Sequence, residues 1–128
     1  MSGEEGAAGG KPSDLVRVDI SGDDDFQIAR LAGEIDISNA DQVTDALTRM
    51  PNTLHGLIID LTELIYLDSA GVRMLYELGK RLSLRSQSMV VVSPAGQPPR
   101  RVLELTGVPE RVQVVETLAE ANQAVLRP

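Results

Sequence analysis

A chain of 128 residues has the length of one domain, long enough to bury a core but too short for two ordinary domains. Hydrophobic residues make up 42% of the sequence, yet its only aromatic residues are Phe26, Tyr66 and Tyr76, so an aliphatic core is predicted. The formal net charge is −7, and no run of lysine or arginine offsets it. This charge argues against direct contact with nucleic acid.

The sequence contains no cysteine, which excludes disulfides, thiolate catalysis and cysteine-based metal sites. It also lacks the basic and apolar regions of a signal peptide and any apolar run near the roughly 20 residues of a membrane span. We therefore expect a cytoplasmic protein without direct membrane insertion. Glycine-rich residues 1–13 carry almost no large apolar side chain and are expected to form a flexible tail before a single domain over residues 14–127.

The first predicted elements are two strands joined by a turn. Residues 15–20 alternate between apolar and polar side chains, as a half-buried strand does, and residues 26–32 follow as a second strand. Between them, residues 21–25 have turn composition. The acidic triplet at 23–25 lacks the alternating ligand spacing of a calcium-binding loop and is interpreted as a solvated turn.

A helix and a buried strand are predicted next. Asn39, with Gln42 three residues later, predicts a capping box for a helix that runs to about Met50. Residues 57–61 form an apolar run interrupted by one aspartate, which is the pattern of a central strand covered on both faces. From Val72 onward, apolar residues recur at about 100° per residue and predict an amphipathic helix.

The C-terminal part alternates again between strands and helices. A strand is predicted over residues 89–92, a helix over 98–105 and a strand over 112–115. Thr117 and Glu120 then predict a capping box for the last helix. This order predicts an α/β fold in which a mixed sheet of about five strands is faced by about four α-helices.

Ser69 lies where the central strand gives way to the amphipathic helix, in the segment Leu-Asp-Ser-Ala-Gly-Val at residues 67–72. The free N–H groups and the positive end of a helix dipole favour negative charge, so the fold would tolerate phosphate on this serine. Alternatively, Ser69 caps the helix, which is worth about 1 kcal/mol. Asp68 either orients the Ser69 hydroxyl or occupies the helix start, where a carboxylate is favourable.

Together with residues 57–67, this segment resembles the signature of the STAS domain, the fold of bacterial anti-sigma factor antagonists. Gly-Glu-Ile-Asp at residues 33–36 resembles the family's Gly-Glu-Leu-Asp segment, and residues 101–108 resemble its late helix. The resemblance extends over residues 15–126. It implies the STAS-like mixed sheet and helices that the element order also predicts.

The resemblance implies a regulatory binding protein rather than an enzyme. Its partner would be an anti-sigma factor and serine kinase with an ATP-binding fold, and phosphorylation of Ser69 by that kinase would end the complex. Such partner switching would regulate sigma-factor-dependent transcription in a stress response. A separate serine phosphatase would reset Ser69, and the protein itself would need no cofactor and no metal.

The partner-binding surface implied by the resemblance surrounds Ser69. For Glu34 and Asp36, the structural alternative is solvation and helix entry. The proposed partner-binding residues are Glu34, Asp36, Asp68, Ser69, Ala70, Gly71, Arg73 and Met74.

Two residues of this surface carry more specific expectations. Arg73 stands where many family members have a small residue, one turn after Ser69, and would pair either with a phosphate or with Glu77 in an exposed i,i+4 ion pair. Met74 falls on the flank of the core stripe. We expect it on the exposed rim of the helix, where an adaptable apolar side chain can contact a partner.

Two other functions remain open at this point. A STAS module can recruit or regulate a stress-signalling complex or a lipid-transport ATPase without phosphorylation of Ser69. A remote alternative is a serine hydrolase with Ser69 as nucleophile and His55, the single histidine, as base. These two residues flank opposite ends of the predicted central strand, and the sequence around Ser69 lacks the Gly-x-Ser-x-Gly elbow.

Overall fold

The computed structural model describes residues 15–125, which form five strands, four α-helices and one 3₁₀ helix. In chain order these elements are β1 (Val16–Gly22), β2 (Phe26–Ile35), α1 (Ala40–Leu47), β3 (Gly56–Leu67), α2 (Ser69–Leu84), β4 (Ser88–Val92), α3 (Pro98–Leu105), the 3₁₀ helix (Val108–Glu110), β5 (Gln113–Val115) and α4 (Leu118–Val125). The predicted tail at residues 1–13 and the last residues of the predicted domain lie outside the described residues. None of the helices in residues 15–125 has the length and apolar character needed to cross a membrane.

The five strands form one mixed sheet in the order β1-β2-β3-β4-β5. β1 and β2 are antiparallel, and each later pair of neighbours is parallel. The turn between β1 and β2 is closed by Asp23, whose Oδ1 accepts hydrogen bonds from the backbone N–H groups of Asp25 (2.8 Å) and Phe26 (3.2 Å). The predicted mixed α/β sheet with four helices is therefore confirmed.

The core is aliphatic, as the composition predicts, and lies on both faces of the sheet. The larger cluster packs the sheet against α1, α2 and α3, with Leu31, Ile59 and Leu75 fully buried in it. A smaller cluster on the other face packs Ile58 and Val90 against α4. Because one face is covered more extensively than the other, charged side chains can lie on the remaining open part of the second face.

An irregularity in β3 begins at Asp60, where the pairing with β2 first shifts register. Asp60 is only 5% exposed, and its Oδ1 accepts hydrogen bonds from the backbone N–H (2.9 Å) and the hydroxyl of Thr62. Its other oxygen lies 3.4 Å from Nε of Arg30 on β2. The single aspartate in the apolar run therefore fixes a bulge, because the strand's extra residues need a local hydrogen-bond acceptor.

Beyond the bulge, β3 no longer alternates. Every third residue points into the core, while the pair between them faces solvent, so that Ile65 is 64% exposed and Tyr66 47% exposed. The inward residues are Leu61, Leu64 and Leu67. A second register shift, opposite Gly33 and Glu34 of β2, accompanies this change. The strand consequently runs to Leu67, six residues beyond the predicted end, and Asp68 and Ser69 follow directly at its C-terminal end.

The predicted capping box of α1 is wrong. Asn39 makes no side-chain bond to the helix. Its Oδ1 accepts from the N–H of Asp36 (3.1 Å), and its Nδ2 donates to the carbonyl of Glu34 (2.9 Å). Buried at 1% exposure, Asn39 fastens the end of β2 instead of the helix. The second predicted box is confirmed, since Glu120 N–H donates to Thr117 Oγ1 and the Thr117 N–H donates to Glu120 Oε1, both at 3.1 Å.

Candidate functional site

Ser69 is the first residue of α2 and follows the C-terminal end of the central strand β3. Its side chain is exposed, and within residues 15–125 its hydroxyl has no hydrogen-bond partner. Asp68 caps the helix instead, with extended backbone and with Oδ1 accepting from the N–H of Ala70 at 2.9 Å. The interpretation of Ser69 as the cap is therefore wrong, and its hydroxyl is free to contact another molecule.

Three carboxylates of the predicted surface lie, like Ser69, at the C-terminal ends of the parallel strands β2 and β3. Residues Glu34 and Ile35 of β2 pair with the last residues of β3. Asp36 and Asp68 are the next residues on the two neighbouring strands, so they leave the sheet side by side. Glu34, Asp36 and Asp68 are each partly exposed. A partner approaching the serine therefore meets an acidic surface.

The loop after β2 holds Asp36 in its charged form. The Ser38 hydroxyl and the Ser38 backbone N–H both donate to Asp36 Oδ1, the latter at 2.8 Å. These two hydrogen bonds, the side-chain one being the larger effect, lower the pKa of Asp36 below its ordinary value against a small opposing effect of desolvation. The loop between β2 and α1 is therefore ordered by its own polar groups, and Ile37 within it is left 85% exposed.

Gly71 is buried and lies in the packing between α2 and the sheet. A Cβ atom built on it would lie 2.5 Å from Cδ1 of Leu67 and 3.4 Å from Cγ2 of Ile35. Only a residue without a side chain lets the first turn of α2 approach β2 and β3 this closely. Gly71 thus positions the serine that precedes it by two residues, and it offers a partner no exposed side chain.

The expectation that Met74 lies on an exposed rim is wrong. Met74 is 3% exposed and belongs to the main core cluster. α1 packs alongside α2 and contributes Val43 and Leu47 to that cluster, so the flank of α2 is covered as well as its sheet-facing side. The apolar stripe of α2 is accordingly wider than a helix with one neighbour requires.

Arg73 is exposed, one turn after Ser69 on the same helix. The predicted pair with Glu77 is wrong, because Glu77 Oε2 lies 3.5 Å from Nε of Arg81 in an i,i+4 pair. Within residues 15–125, Arg73 forms no ion pair with a carboxylate. A guanidinium near the serine is thus available to an anionic group.

A groove of about 590 Å³ runs between α1 and α2 beside the serine. Its lining combines apolar and charged side chains from both helices and from the preceding loop. The lining residues are Ile37, Ala40, Asp41, Thr44, Asp45, Ala70, Arg73, Met74, Glu77 and Arg81. Sequence reasoning missed Ile37 and the exposed pair Ile65 and Tyr66, because both follow from the loop and bulge geometry rather than from an amphipathic pattern.

His55 and Ser69 lie beyond opposite ends of β3. Twelve residues of strand separate them, at about 3.3 Å per residue. His55 directly precedes β3, and its N–H donates to the carbonyl of Asp25 at 2.6 Å. The nucleophile and base of the hydrolase hypothesis are therefore far outside hydrogen-bond reach of each other.

Comparison with known proteins identifies the family. The protein-family model of the STAS domain matches residues 17–121 of this sequence. The anti-sigma-B factor antagonist of Listeria monocytogenes is 33% identical over 94 residues, which are 72% of this chain and 81% of that protein. The chain belongs to the STAS domain family. Members of its anti-sigma factor antagonist group are regulatory binding proteins, not enzymes.

Solved structures of STAS proteins share the fold. The crystal structure of an anti-sigma factor antagonist from Mycobacterium paratuberculosis superimposes with a TM-score of 0.72 at 26% identity, covering 91% of this chain and 98% of that one. The Bacillus cell fate determinant SpoIIAA in its phosphorylated form superimposes with a TM-score of 0.63 at 19% identity, covering 85% of this chain and 99% of that one. The second likeness concerns the fold alone.

Proposed function

We propose that this STAS protein is an antagonist of an anti-sigma factor and that it binds that partner through the surface around Ser69. The exposed serine hydroxyl at the first residue of α2 carries the proposal, because it has no hydrogen-bond partner within the described residues, whereas the neighbouring Asp68 is only partly exposed and bonds to the helix. The names of the relatives, which are antagonists of this class, support it.

The bare hydroxyl is the binding-competent state in this proposal. Asp68 fixes the start of α2, Gly71 lets α2 lie close to the sheet, and both keep the serine in one place without engaging its oxygen. A partner can then close tightly over a small side chain. Exposed Ile37 in the adjacent loop supplies apolar contact area to the same surface.

Phosphorylation of Ser69 is the proposed switch. Phosphate adds a charge of about −1.5 to −2 and three acceptor oxygens. It would join Glu34, Asp36 and Asp68 at one sheet edge, so a partner fitted to the neutral hydroxyl would meet added bulk and repulsion. The N-terminal end of α2 and Arg73, which has no ion-pair partner among the described residues, would stabilise the phosphate on this chain.

The partner in this proposal is an anti-sigma factor with a kinase fold that transfers phosphate from ATP to the Ser69 hydroxyl. A serine phosphatase hydrolyses the phosphoserine and restores binding. Both would act in the cytoplasm, where the released sigma factor directs transcription. This chain supplies the acceptor hydroxyl and a docking surface, and it needs no cofactor of its own for either role.

The modification is tested by incubating the full chain with candidate kinase-fold anti-sigma factors and ATP, followed by intact-mass measurement and peptide mapping. We expect one added phosphate on Ser69. The Ser69→Ala variant should stay unmodified, whereas Ser83→Ala, which removes another exposed serine of the same helix, should be modified like the natural chain. Phosphate mapped to a different residue would overturn the switch and favour a constitutive recruitment module.

A further inference from the structure

The outer edge of β1 is a strand edge without a partner in residues 15–125. β1 is the first strand in the sheet order and pairs only with β2. Two hydrogen bonds fix which of its backbone groups face inward: Glu34 N–H donates to the Leu15 carbonyl at 2.7 Å, and Asp23 N–H donates to the Phe26 carbonyl at 3.0 Å. An exposed edge of this kind is a template for another strand.

The backbone groups available to a new strand follow from the alternation of antiparallel pairing. Leu15 and Asp23 each form one backbone hydrogen bond with a residue of β2, so by the alternation the odd-numbered residues between them also face β2. The N–H and C=O groups of Val16, Val18 and Ile20 consequently point away from the sheet. These are also the residues whose side chains lie on the helix-covered face, and Ile20 is still 47% exposed there.

The opposite face of β1 carries a cation and an anion two residues apart. Arg17 Nε lies 3.0 Å from Asp19 Oδ2, and a terminal nitrogen of Arg17 lies 3.7 Å from Glu63 Oε1. The side chains of Arg17 and Asp19 are 67% and 56% exposed. Both charges are thus accessible to a molecule that pairs with this edge.

We propose that β1 pairs antiparallel with β1 of a second copy of this chain, with a two-fold axis at Val18. In this register Val18 faces its own copy and Val16 faces Ile20, so the outward backbone groups of these three residues exchange hydrogen bonds with the second copy. On the other face, Arg17 of each copy faces Asp19 of the other. Apolar side chains therefore meet apolar ones and each charge meets its opposite.

The charge pattern selects this register from its neighbours. Shifting the two-fold axis to residue 17 places Arg17 against its own copy, and shifting it to residue 19 places Asp19 against its own copy. Like charges directly opposite each other destabilise a sheet. The result is a continuous sheet through two copies, and because the contact is one strand wide, we expect a reversible dimer rather than a permanent one.

The proposal is tested with two single charge reversals in the full chain, Arg17→Asp and Asp19→Arg, by sedimentation equilibrium over a concentration series. The natural chain should approach twice its 13.8 kDa mass at high concentration. Each variant alone places like charges opposite each other at two positions and should associate at least about tenfold more weakly. An equimolar mixture should associate like the natural chain, because each introduced side chain then meets an opposite charge.

The mixture separates register from folding, since a variant that restores association in the mixture is folded. Arg101→Asp serves as the control for net charge, because Arg101 is exposed on α3 and the substitution changes the charge as Arg17→Asp does. It should dimerise like the natural chain. A natural chain that stays at monomer mass throughout, single variants that associate normally, or a mixture that fails to associate would each overturn the proposal.

Discussion

Strand β3 has a first half that is paired on both sides and a second half that is not. Residues 56–60 lie between β2 and β4 in regular register, whereas residues 61–67 pair only with β2 and shift register twice. The first half is buried throughout; the second exposes Ile65 and Tyr66 and leads into Asp68 and Ser69. The regular half is buried along its whole length, whereas the irregular half buries only every third residue and positions the serine.

The strongest test of this contrast compares truncations in the two halves. Ile59→Ala in the first half empties a site with 0% exposure and should lower the free energy of unfolding by about 2–5 kcal/mol. Ile65→Ala in the second half removes a side chain that is 64% exposed and should change it by no more than about 0.5 kcal/mol. Urea denaturation of both variants measures the difference, and equal losses would contradict the division of β3.

A smaller effect is expected where the second half meets α2. Gly71→Ala should cost about 1–3 kcal/mol of unfolding free energy, because the new methyl group would lie 2.5 Å from a Leu67 carbon. Gly79→Ala is the matched control in the same helix. Its methyl group would lie 3.3 Å from the flexible end of Met89, and it should be neutral or stabilising by up to about 1 kcal/mol. A Gly71→Ala variant as stable as the control would show that this approach can relax.

The identity of the helix cap gives a prediction of about 1 kcal/mol. Asp68→Ala removes the carboxylate that accepts from Ala70 N–H and should lower the free energy of unfolding by about that amount. Ser69→Ala removes a hydroxyl with no partner among the described residues and should change it by less than about 0.5 kcal/mol. Thermal unfolding of the two single variants would contradict the assignment if their losses were reversed.

The smallest effect concerns protonation in the loop after β2. Ser38→Ala removes the larger cause of the lowered pKa of Asp36, so that pKa should rise toward its ordinary value while staying below it, because the backbone hydrogen bond remains. Since the folded-state pKa is lowered, the linked stabilisation is present above the unfolded-state pKa and is lost as pH falls through the folded one. NMR titration of the Asp36 carboxyl carbon measures the shift, and an unchanged pKa would contradict the cause.

Sequence patterns predicted the elements whose side chains face one environment along their length. The apolar run at residues 57–61, the helix beginning near Val72 and the capping box at Thr117 all correspond to observed elements. An element that contacts the core at regular intervals has apolar residues at regular intervals, so the sequence alone predicts these elements. The motif around Ser69 also predicted the family, which the comparisons bear out.

Details of the site depended on tertiary contacts that leave no periodic signal. The expected exposure of Met74 is wrong because α1 covers the flank of α2, and the sequence of α2 alone does not show that α1 packs there. Asn39 is a residue type that commonly caps helices, yet its side-chain amide bonds instead to the backbone of Glu34 and Asp36 at the end of β2. The bulge at Asp60 likewise depends on a local hydrogen bond, from the N–H of Thr62 to the Asp60 carboxylate, and the apolar pattern of residues 57–61 does not predict it.

The central claim, that the irregular half of β3 presents Ser69 as a phosphorylation-controlled docking residue, is tested most directly by calorimetric titration of the anti-sigma factor partner. The chain is titrated once unmodified and once after stoichiometric phosphorylation of Ser69, with Ser83→Ala treated identically as the control. We expect tight binding of the unmodified chain and a loss of at least about 100-fold in affinity, about 2.7 kcal/mol, after phosphorylation. An unchanged affinity after complete modification of Ser69 would contradict the account.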